Sequence, residues 1–335
     1  MREAILYKEL GDKTVQCRVC NHYCVIPSQK RGKCGVRENQ KGKLVSLVYG
    51  EAIACNVDPV EKKPLFHFMP GTYSLSVATV GCNFACQNCQ NYDISQGPKQ
   101  NKMISGQDLS PEKIVELALK YKTPSISYTY TEPTIFIEYA LETMKLAKKQ
   151  GLKNSWVTNG YLTPQALEVI APYLDAANVD LKFFQNDLYQ EICGAKLEPI
   201  LNTLKLMKKL KIWLEITTLL IPDYTNAGSQ VKEIAQFIFK QLGPETPWHI
   251  SRFYPCYKMT DVSPTPLDFI HQAVEIGKKT GLKYVYAGNL PGDKGENTYC
   301  PQCQNLVIER VGYEIKRLDH RGKCPKCGEK IDLIL

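Results

Sequence analysis

From about Thr72 onward the chain repeats one pattern. A short apolar or alternating run is followed by a longer stretch with apolar positions three and four residues apart. SLSVATV (74–80), SISYTY (125–130), KNSWVT (153–158), AANVDLK (176–182), IWLEITTLL (212–220), WHISRF (248–253) and KYVYAG (283–288) read as strands. PEKIVELALKY (111–121), IFIEYALETMKLAKKQ (135–150), PQALEVIAPYL (164–174), PILNTLKLMKKL (199–210), VKEIAQFIFKQL (231–242) and PLDFIHQAVEIGKKT (266–280) read as helices. Ser110 supplies an N-cap before Pro111, and Gly151 a stop. Strands alternating with helices imply βαβ units and a parallel sheet. The sheet could close fully, remain a partial barrel, or open into a doubly wound sheet. No G-x-G-x-x-G follows the first strand, which argues against a dinucleotide fold. In a parallel barrel, function sits on loops at the C-terminal strand ends. GCNFACQNCQN (81–91) is such a loop.

Outside this repeat the pattern changes. Residues 1–70 read as a cysteine-rich N-terminal module and an extended lead-in, with short strands in KLVSLVYGEAIA (43–54). Residues 71–295 hold the strand–helix units, and 296–335 form a small terminal module. The chain has 335 residues, enough for one large α/β domain with small additions. No stretch of about 18 apolar residues suggests a membrane span. MREAILYKEL lacks the apolar core of a secretion signal, so the expected location is cytoplasmic. The formal charge is +8, but the lysines are spread over helix faces (KLAKKQ, LKLMKKLK) rather than gathered in one run. Metal-bound thiolates would offset part of that charge. A nucleic-acid partner is therefore not indicated.

Fourteen cysteines change the picture more than charge does. In a reducing compartment, clustered cysteines point to metal ligands or catalytic thiols rather than disulfides. Cys17, Cys20, Cys24 and Cys34 are spaced C-x2-C-x3-C-x9-C. Cys300, Cys303, Cys324 and Cys327 are spaced C-x2-C-x20-C-x2-C. The latter is the spacing of a zinc ribbon, two knuckles joined by a β-hairpin; a rubredoxin-like iron would use the same cage. About 40 residues bury too little core to fold without the metal. The N-terminal spacing is less regular. It suits a four-thiolate zinc site or a second iron–sulfur cluster relaying electrons, with His22 as an alternative ligand. Cys55, Cys193 and Cys256 stand alone and read as buried small hydrophobes, Cys193 in ICGAKLEP being the most interesting.

Cys82, Cys86 and Cys89 are spaced C-x3-C-x2-C with no fourth cysteine nearby. Zinc normally takes a closed tetrahedral set. Three thiolates instead suit three corners of a [4Fe–4S] cubane, leaving one iron for an outside ligand. This loop, after the first barrel strand, resembles that of the radical S-adenosylmethionine (SAM) superfamily. There the SAM amino and carboxylate groups chelate the open iron. One electron then cleaves SAM to methionine and a 5′-deoxyadenosyl radical.

Further segments are similar to those of glycyl-radical-enzyme activases. TYTEP (129–133) resembles their glycine-glycine-glutamate motif without its glycines. The match implies that Glu132 and the backbone of Tyr130 and Thr131 bind the SAM amino group; Glu132 could otherwise cap the next helix. VTNGYLTP (157–164) resembles the T-N-G segment and implies a SAM contact for Asn159. NVDLKFF (178–184) resembles the D-L-K strand end, so Asp180 and Lys182 would share the interior face. Arg252 in HISRFYP offers a charge at the mouth of the site. Asn88 stands where the family has an aromatic residue against adenine, leaving Tyr92 or Asn88 itself to meet the base. Val157 stands where the activases place an aspartate that helps hold a cation, which argues against a cation site.

Across nearly the whole chain the sequence resembles AmmeMemoRadiSam-system radical SAM proteins, close to pyruvate formate-lyase activating enzymes. The resemblance implies an α/β fold, a partial (β/α)6-type radical SAM barrel with small four-cysteine metal-binding modules at both ends. It implies a [4Fe–4S] cluster and SAM as cofactors, to which the four-cysteine spacing adds zinc. The resemblance to this branch implies no substrate; the activase-like TEP, TNG and DLK segments point to a protein substrate, with Memo-type or AMMECR-type proteins as candidates, and an electron donor such as a flavodoxin or ferredoxin is expected. Radical modification of a small molecule is the alternative. A zinc-ribbon RNA-binding protein is the reading from a different class, and a strong salt dependence of RNA affinity would mark it.

Overall fold

In the computed structural model, residues 1–225, 228–290 and 292–335 are described. The central sheet has eight strands: β1 (Ala54–Pro59), β2 (Tyr73–Ala78), β3 (Ser125–Tyr128), β4 (Lys153–Thr158), β5 (Ala176–Asp180), β6 (Trp213–Leu220), β7 (Trp248–Arg252) and β8 (Val285–Gly288). They lie side by side in chain order. β2 to β8 are parallel, and β1 is added antiparallel on β2, with Ala54 opposite Ala78. The two edge strands are not paired to each other, so the sheet stays open along that seam. Of the three arrangements the alternation left open, this is the partial barrel that the family resemblance implies.

The central strands are buried on both faces, as a parallel sheet covered by helices requires. The helices are α1 (Tyr92–Gln100), α2 (Pro111–Lys120), α3 (Ile137–Lys149), α4 (Pro164–Ile170), α5 (Leu197–Lys209), α6 (Gln230–Phe237) and α7 (Leu267–Thr280). Their starts follow local chemistry. Ser110 Oγ accepts from Lys113 N at 3.3 Å with Pro111 at the first helical position. Thr163 Oγ1 does the same for Ala166 N ahead of Pro164.

Two small modules sit at opposite ends of the barrel. Residues 7–26 and 2–46 form two three-stranded antiparallel sheets that dock on loops beyond the C-terminal strand ends. Thr163 N donates to Val19 O, and Cys20 makes a β-bridge with Leu162. The buried Arg37 pairs with Glu138 of α3 at 2.5 Å. The C-terminal module is a three-stranded antiparallel sheet (Thr298–Tyr299, Leu306–Val311, Glu314–Arg317) against the other end. Arg310 Nη2 donates to Phe66 O and Tyr284 Oη to Asp332, beside the starts of β6 and β8.

Glu215 anchors that lower end. Its carboxylate accepts from Phe66 N and His67 N at 2.9 Å each, His249 Nε2 at 2.7 Å and Trp213 Nε1 at 3.0 Å. Burial disfavours its charge, but His249, His67 and Trp213 outweigh that and hold the carboxyl below its usual range. Among the described residues, no helix is long and apolar enough to cross a membrane.

Candidate functional site

The three-cysteine loop leaves β2 at the top of the barrel. Gly81, at φ +101°, makes the turn into Cys82, and a Cβ there would lie 2.6 Å from Val36 Cγ1. The loop is then pinned from several sides. Ala85 N and Gln87 N donate to Cys193 O and Ile192 O at 2.9 and 3.0 Å. Lys258 N donates to Gln87 O at 2.9 Å, and Cys256 Sγ to Cys89 O at 3.4 Å. From α1, Ser95 Oγ lies 3.3 Å from Cys89 Sγ, and Lys99 Nζ donates to Phe84 O.

Cys82, Cys86 and Cys89 are partly buried. Burial pushes the Cys82 and Cys89 thiols up; for Cys86 a hydrogen bond with Cys193 leads and burial follows. A bound metal would deprotonate them against that burial. Phe84 N already donates to Cys82 Sγ at 3.4 Å, a contact suited to thiolate sulfur.

Of the remaining expected residues, Glu132 and Asn159 are tied to this loop by hydrogen bonds. Glu132 is 2% exposed, and its Oε1 accepts from Thr134 N, Thr134 Oγ1 and Thr158 Oγ1. Its Oε2 accepts from Asn159 N at 2.8 Å and retains a free lone pair. Glu132 thus does cap the following turn, the structural role that sequence left open. Asn159 Nδ2 donates to Asn83 Oδ1 at 2.7 Å, joining Glu132 to the cysteine loop.

Tyr130 has φ +64°, a left-handed conformation that glycine adopts freely. Its hydroxyl donates to Asp58, its ring lies 4.4 Å from Lys63 Nζ, and its carbonyl accepts from Asn91 Nδ2 at 2.8 Å. These contacts hold the turn without the glycines of the resembled motif. Thr131 Oγ1 donates to Thr79 O at 2.8 Å.

Asp180 and Lys182 pair at 2.8 Å, partly exposed at the end of β5. Burial works against the Lys182 charge, but Asp180, with Cys86 and Cys193, raises its pKa well above the ordinary lysine value. Arg252 is held away at the rim, donating to Thr265 O at 2.7 Å and Tyr254 Oη at 3.1 Å. Tyr92 is exposed and stacks on Tyr257 with ring centroids 4.6 Å apart.

Two buried polar atoms of the loop have no partner: Asn83 Nδ2 and Asn88 Oδ1. Such atoms are costly to leave unsatisfied and mark where a polar ligand fits. Three thiols, two orphaned amide atoms and a neighbouring Asp–Lys pair fit a [4Fe–4S] cluster with a zwitterionic nucleoside ligand.

The two four-cysteine groups differ. Cys300, Cys303, Cys324 and Cys327 bring all four sulfurs within 4.8 Å of one another, in pairs 3.6 Å apart. That is a metal-binding geometry, and it lies at the lower end. Cys17, Cys20, Cys24 and Cys34 surround one cavity beside the upper loops. His22, also on this cavity, donates Nε2–H to Asn83 O at 2.9 Å. Sequence reasoning did not foresee this link, nor the contacts of Cys193 and Lys99 with the loop.

The sequence profile of the Radical SAM superfamily matches residues 76–238. An uncharacterized protein of Methanocaldococcus jannaschii is 46% identical over 338 residues, covering all of both chains. The pyruvate formate-lyase-activating enzyme of Clostridium pasteurianum is 23% identical over 47% of this chain and 66% of its own. In fold, the chain is similar to Streptococcus suis SuiB bound to precursor peptide SuiA, with TM-score 0.52 and 12% identity. That likeness covers 70% of this chain and 52% of SuiB. The profile begins within β2 and covers the cysteine loop and the units that carry Glu132, Asn159, Asp180 and Lys182, and on these grounds the chain belongs to the radical SAM superfamily of enzymes.

Proposed function

We propose that this enzyme forms a 5′-deoxyadenosyl radical from SAM and uses it to abstract hydrogen from a residue of a partner protein. The observation that carries the reading is the three-thiol loop at the top of β2, flanked by two buried amide atoms without partners. Cys82, Cys86 and Cys89 hold three irons. When bound, the [4Fe–4S] cluster supplies the electron that breaks the SAM sulfonium bond. The free lone pair of Glu132 and the backbone of Tyr130 and Thr131 take the SAM amino group. Asn159 fixes Glu132 against the loop and contacts SAM beside it. Asn88 Oδ1 accepts from the adenine amino group, while Asp180 and Lys182 orient the polar end of the ligand.

A protein substrate is favoured over a metabolite by the open seam of the sheet, which leaves a side for a chain segment to enter. Memo-type and AMMECR-type proteins are the candidate substrates, and a flavodoxin or ferredoxin is the candidate donor. The C-terminal cysteines hold structural zinc, because their paired sulfurs already approach the separation one ion imposes. Residues 1–70, 71–295 and 296–335 are read as N-terminal module, barrel and zinc ribbon of a cytoplasmic protein.

The test is anaerobic. Reconstituted, reduced protein is incubated with SAM and a candidate partner deuterated at glycine. Deuterium appearing in 5′-deoxyadenosine, dependent on the partner, supports the reading. SAM cleavage that no protein partner stimulates, but a small molecule does, would move the substrate to the metabolite class. Cys82→Ala, Cys86→Ala and Cys89→Ala should each abolish cleavage with zinc content unchanged; cleavage surviving in all three would remove the cluster assignment.

A further inference from the structure

We propose that Cys17, Cys20, Cys24 and Cys34 hold a second [4Fe–4S] cluster, bound by four thiolates, on the side of the barrel where electrons enter the site. Three independent features carry this.

The first is spacing. One zinc ion with Zn–S bonds of about 2.3 Å draws four tetrahedral sulfurs to within about 3.8 Å of each other. Two pairs of the C-terminal sulfurs reach that separation, at 3.6 Å, and all four lie within 4.8 Å of one another. Among the described residues they form the one group with three or more metal-ligating atoms within 4.8 Å. The N-terminal sulfurs are spread wider, with no three of them within 4.8 Å of one another, yet all four cysteines line one cavity. Four thiolates set farther apart than one ion draws them suit a polynuclear core. His22 keeps its Nε2 on Asn83, so four thiolates complete the set without it.

The second feature is charge. The cavity wall includes Arg37, which is 2% exposed. Its Nε donates to Ile135 O at 3.2 Å and its Nη2 to Glu138 at 2.5 Å, but Nη1 has no partner. A buried guanidinium with an unused donor facing four cysteines fits an anionic occupant. A [4Fe–4S]2+ core with four thiolates carries a net charge of about −2, as one zinc ion in the same cage would, so the guanidinium marks an anionic metal–thiolate occupant and the wider sulfur spacing selects the cluster. Val19, Ile26 and Ile135 add apolar walls, and Lys33 and Thr134 complete the polar side of the lining.

The third is position. His22 bonds to the carbonyl of Asn83, the residue after Cys82. Cys34 O lies 3.2 Å from the point where a Cβ on Gly81 would stand. Cys20 pairs with Leu162, three residues beyond Asn159. The C-terminal group lies at the opposite end of the barrel. Resting on the proposed function, the role is a relay: one electron from a donor of the flavodoxin or ferredoxin class reduces the N-terminal cluster by one unit and then passes to the cluster on Cys82, Cys86 and Cys89. The donor ends one electron oxidised, and no atom is transferred.

The full chain is reconstituted anaerobically with iron, sulfide and zinc, and metal and sulfide are counted. About eight irons, about eight sulfides and about one zinc per chain are expected. The Cys82→Ala/Cys86→Ala/Cys89→Ala variant should retain half the iron and, when reduced, give a cluster EPR signal that SAM does not perturb. This readout is independent of SAM cleavage, so it separates failure of the relay cluster from failure of the proposed function. Cys17→Ala/Cys24→Ala should also lose half the iron, while its remaining signal still responds to SAM. Half the expected iron with twice the expected zinc in the wild type, or no iron–sulfur signal in the triple variant, would overturn the proposal in favour of zinc.

Discussion

Replacing Glu215 by glutamine changes no volume but removes one charge and two lone-pair acceptors from a site that faces only donors. Glu215 is completely buried and receives four hydrogen bonds, from Phe66 N, His67 N, His249 Nε2 and Trp213 Nε1. A glutamine must turn its NH2 toward one of the two pairs. The less costly choice faces Phe66 N and His249, because His249 can change tautomer and accept, whereas a backbone N–H cannot. Phe66 N–H is then buried without a partner, at about 1–3 kcal/mol. The bonds that survive lose their charge assistance, at roughly 1 kcal/mol each for two or three of them. The expected loss is about 4 kcal/mol, measured as the shift in urea midpoint at equal metal content with unchanged slope. Because Glu215 ties the lead-in at Phe66 and His67 to the lower end of the barrel, the SAM-dependent EPR change at the upper end should survive at temperatures where the variant stays folded. A loss under about 1 kcal/mol would refute the view that this carboxylate is an ionised hub.

Other outcomes follow from the same geometry. His67 is fully buried, donating Nδ1–H to Asp332 O and accepting from Tyr286 Oη, and burial lowers its pKa to about 4. The unfolded chain takes up a proton near pH 6.5 that the folded chain refuses, so stability should fall between about pH 6.5 and 4 by on the order of 3 kcal/mol. In His67→Gln that part of the pH dependence should vanish. Gly81→Ala forces a side chain into left-handed backbone against Val36, at a cost of about 2 kcal/mol or more, and should lower iron retention after reconstitution. Adding Val36→Ala should recover the steric part, and equal iron in all forms would count against the close approach. Cys300→Ser should remove one zinc per chain and loosen the C-terminal module, read by hydrogen exchange at Leu306–Val311, while leaving SAM-dependent signals in place.

The barrel was legible because short β-rich runs alternate with stretches whose apolar positions recur three and four residues apart, and Ser110 and Thr163 cap two of the helices. All seven expected strands occur. β1 was not legible as a sheet strand: ACNVDP is mixed in polarity, as an antiparallel edge strand can be. Nor was α1, because Gly97 and Pro98 interrupt its sequence and Pro98 sits inside the helix. At the site, the cysteine spacing named the loop, and period-two logic placed Asp180 beside Lys182. What spacing could not give was the separation of sulfurs in space. Both groups offer four cysteines, one regularly and one irregularly spaced, yet only the structure shows that one draws its sulfurs together and the other sets them around a cavity. Tyr130 illustrates the same limit, since only tertiary contacts with Asp58, Lys63 and Asn91 explain a tyrosine where a glycine conformation is needed.

The docking of the N-terminal module has a consequence for biosynthesis. Asn21 bonds to Tyr161 and Leu162, and Arg37 to Glu138, partners 140, 141 and 101 residues further along. A ribosome releases the first four cysteines long before it has made the surface that shelters them. During that interval the thiols are open to oxidation and to stray metal ions. Closing contacts over such long spans is also slow compared with forming local structure. The segment made first is thus finished last, and correct loading of its cavity depends on the rest of the barrel already standing.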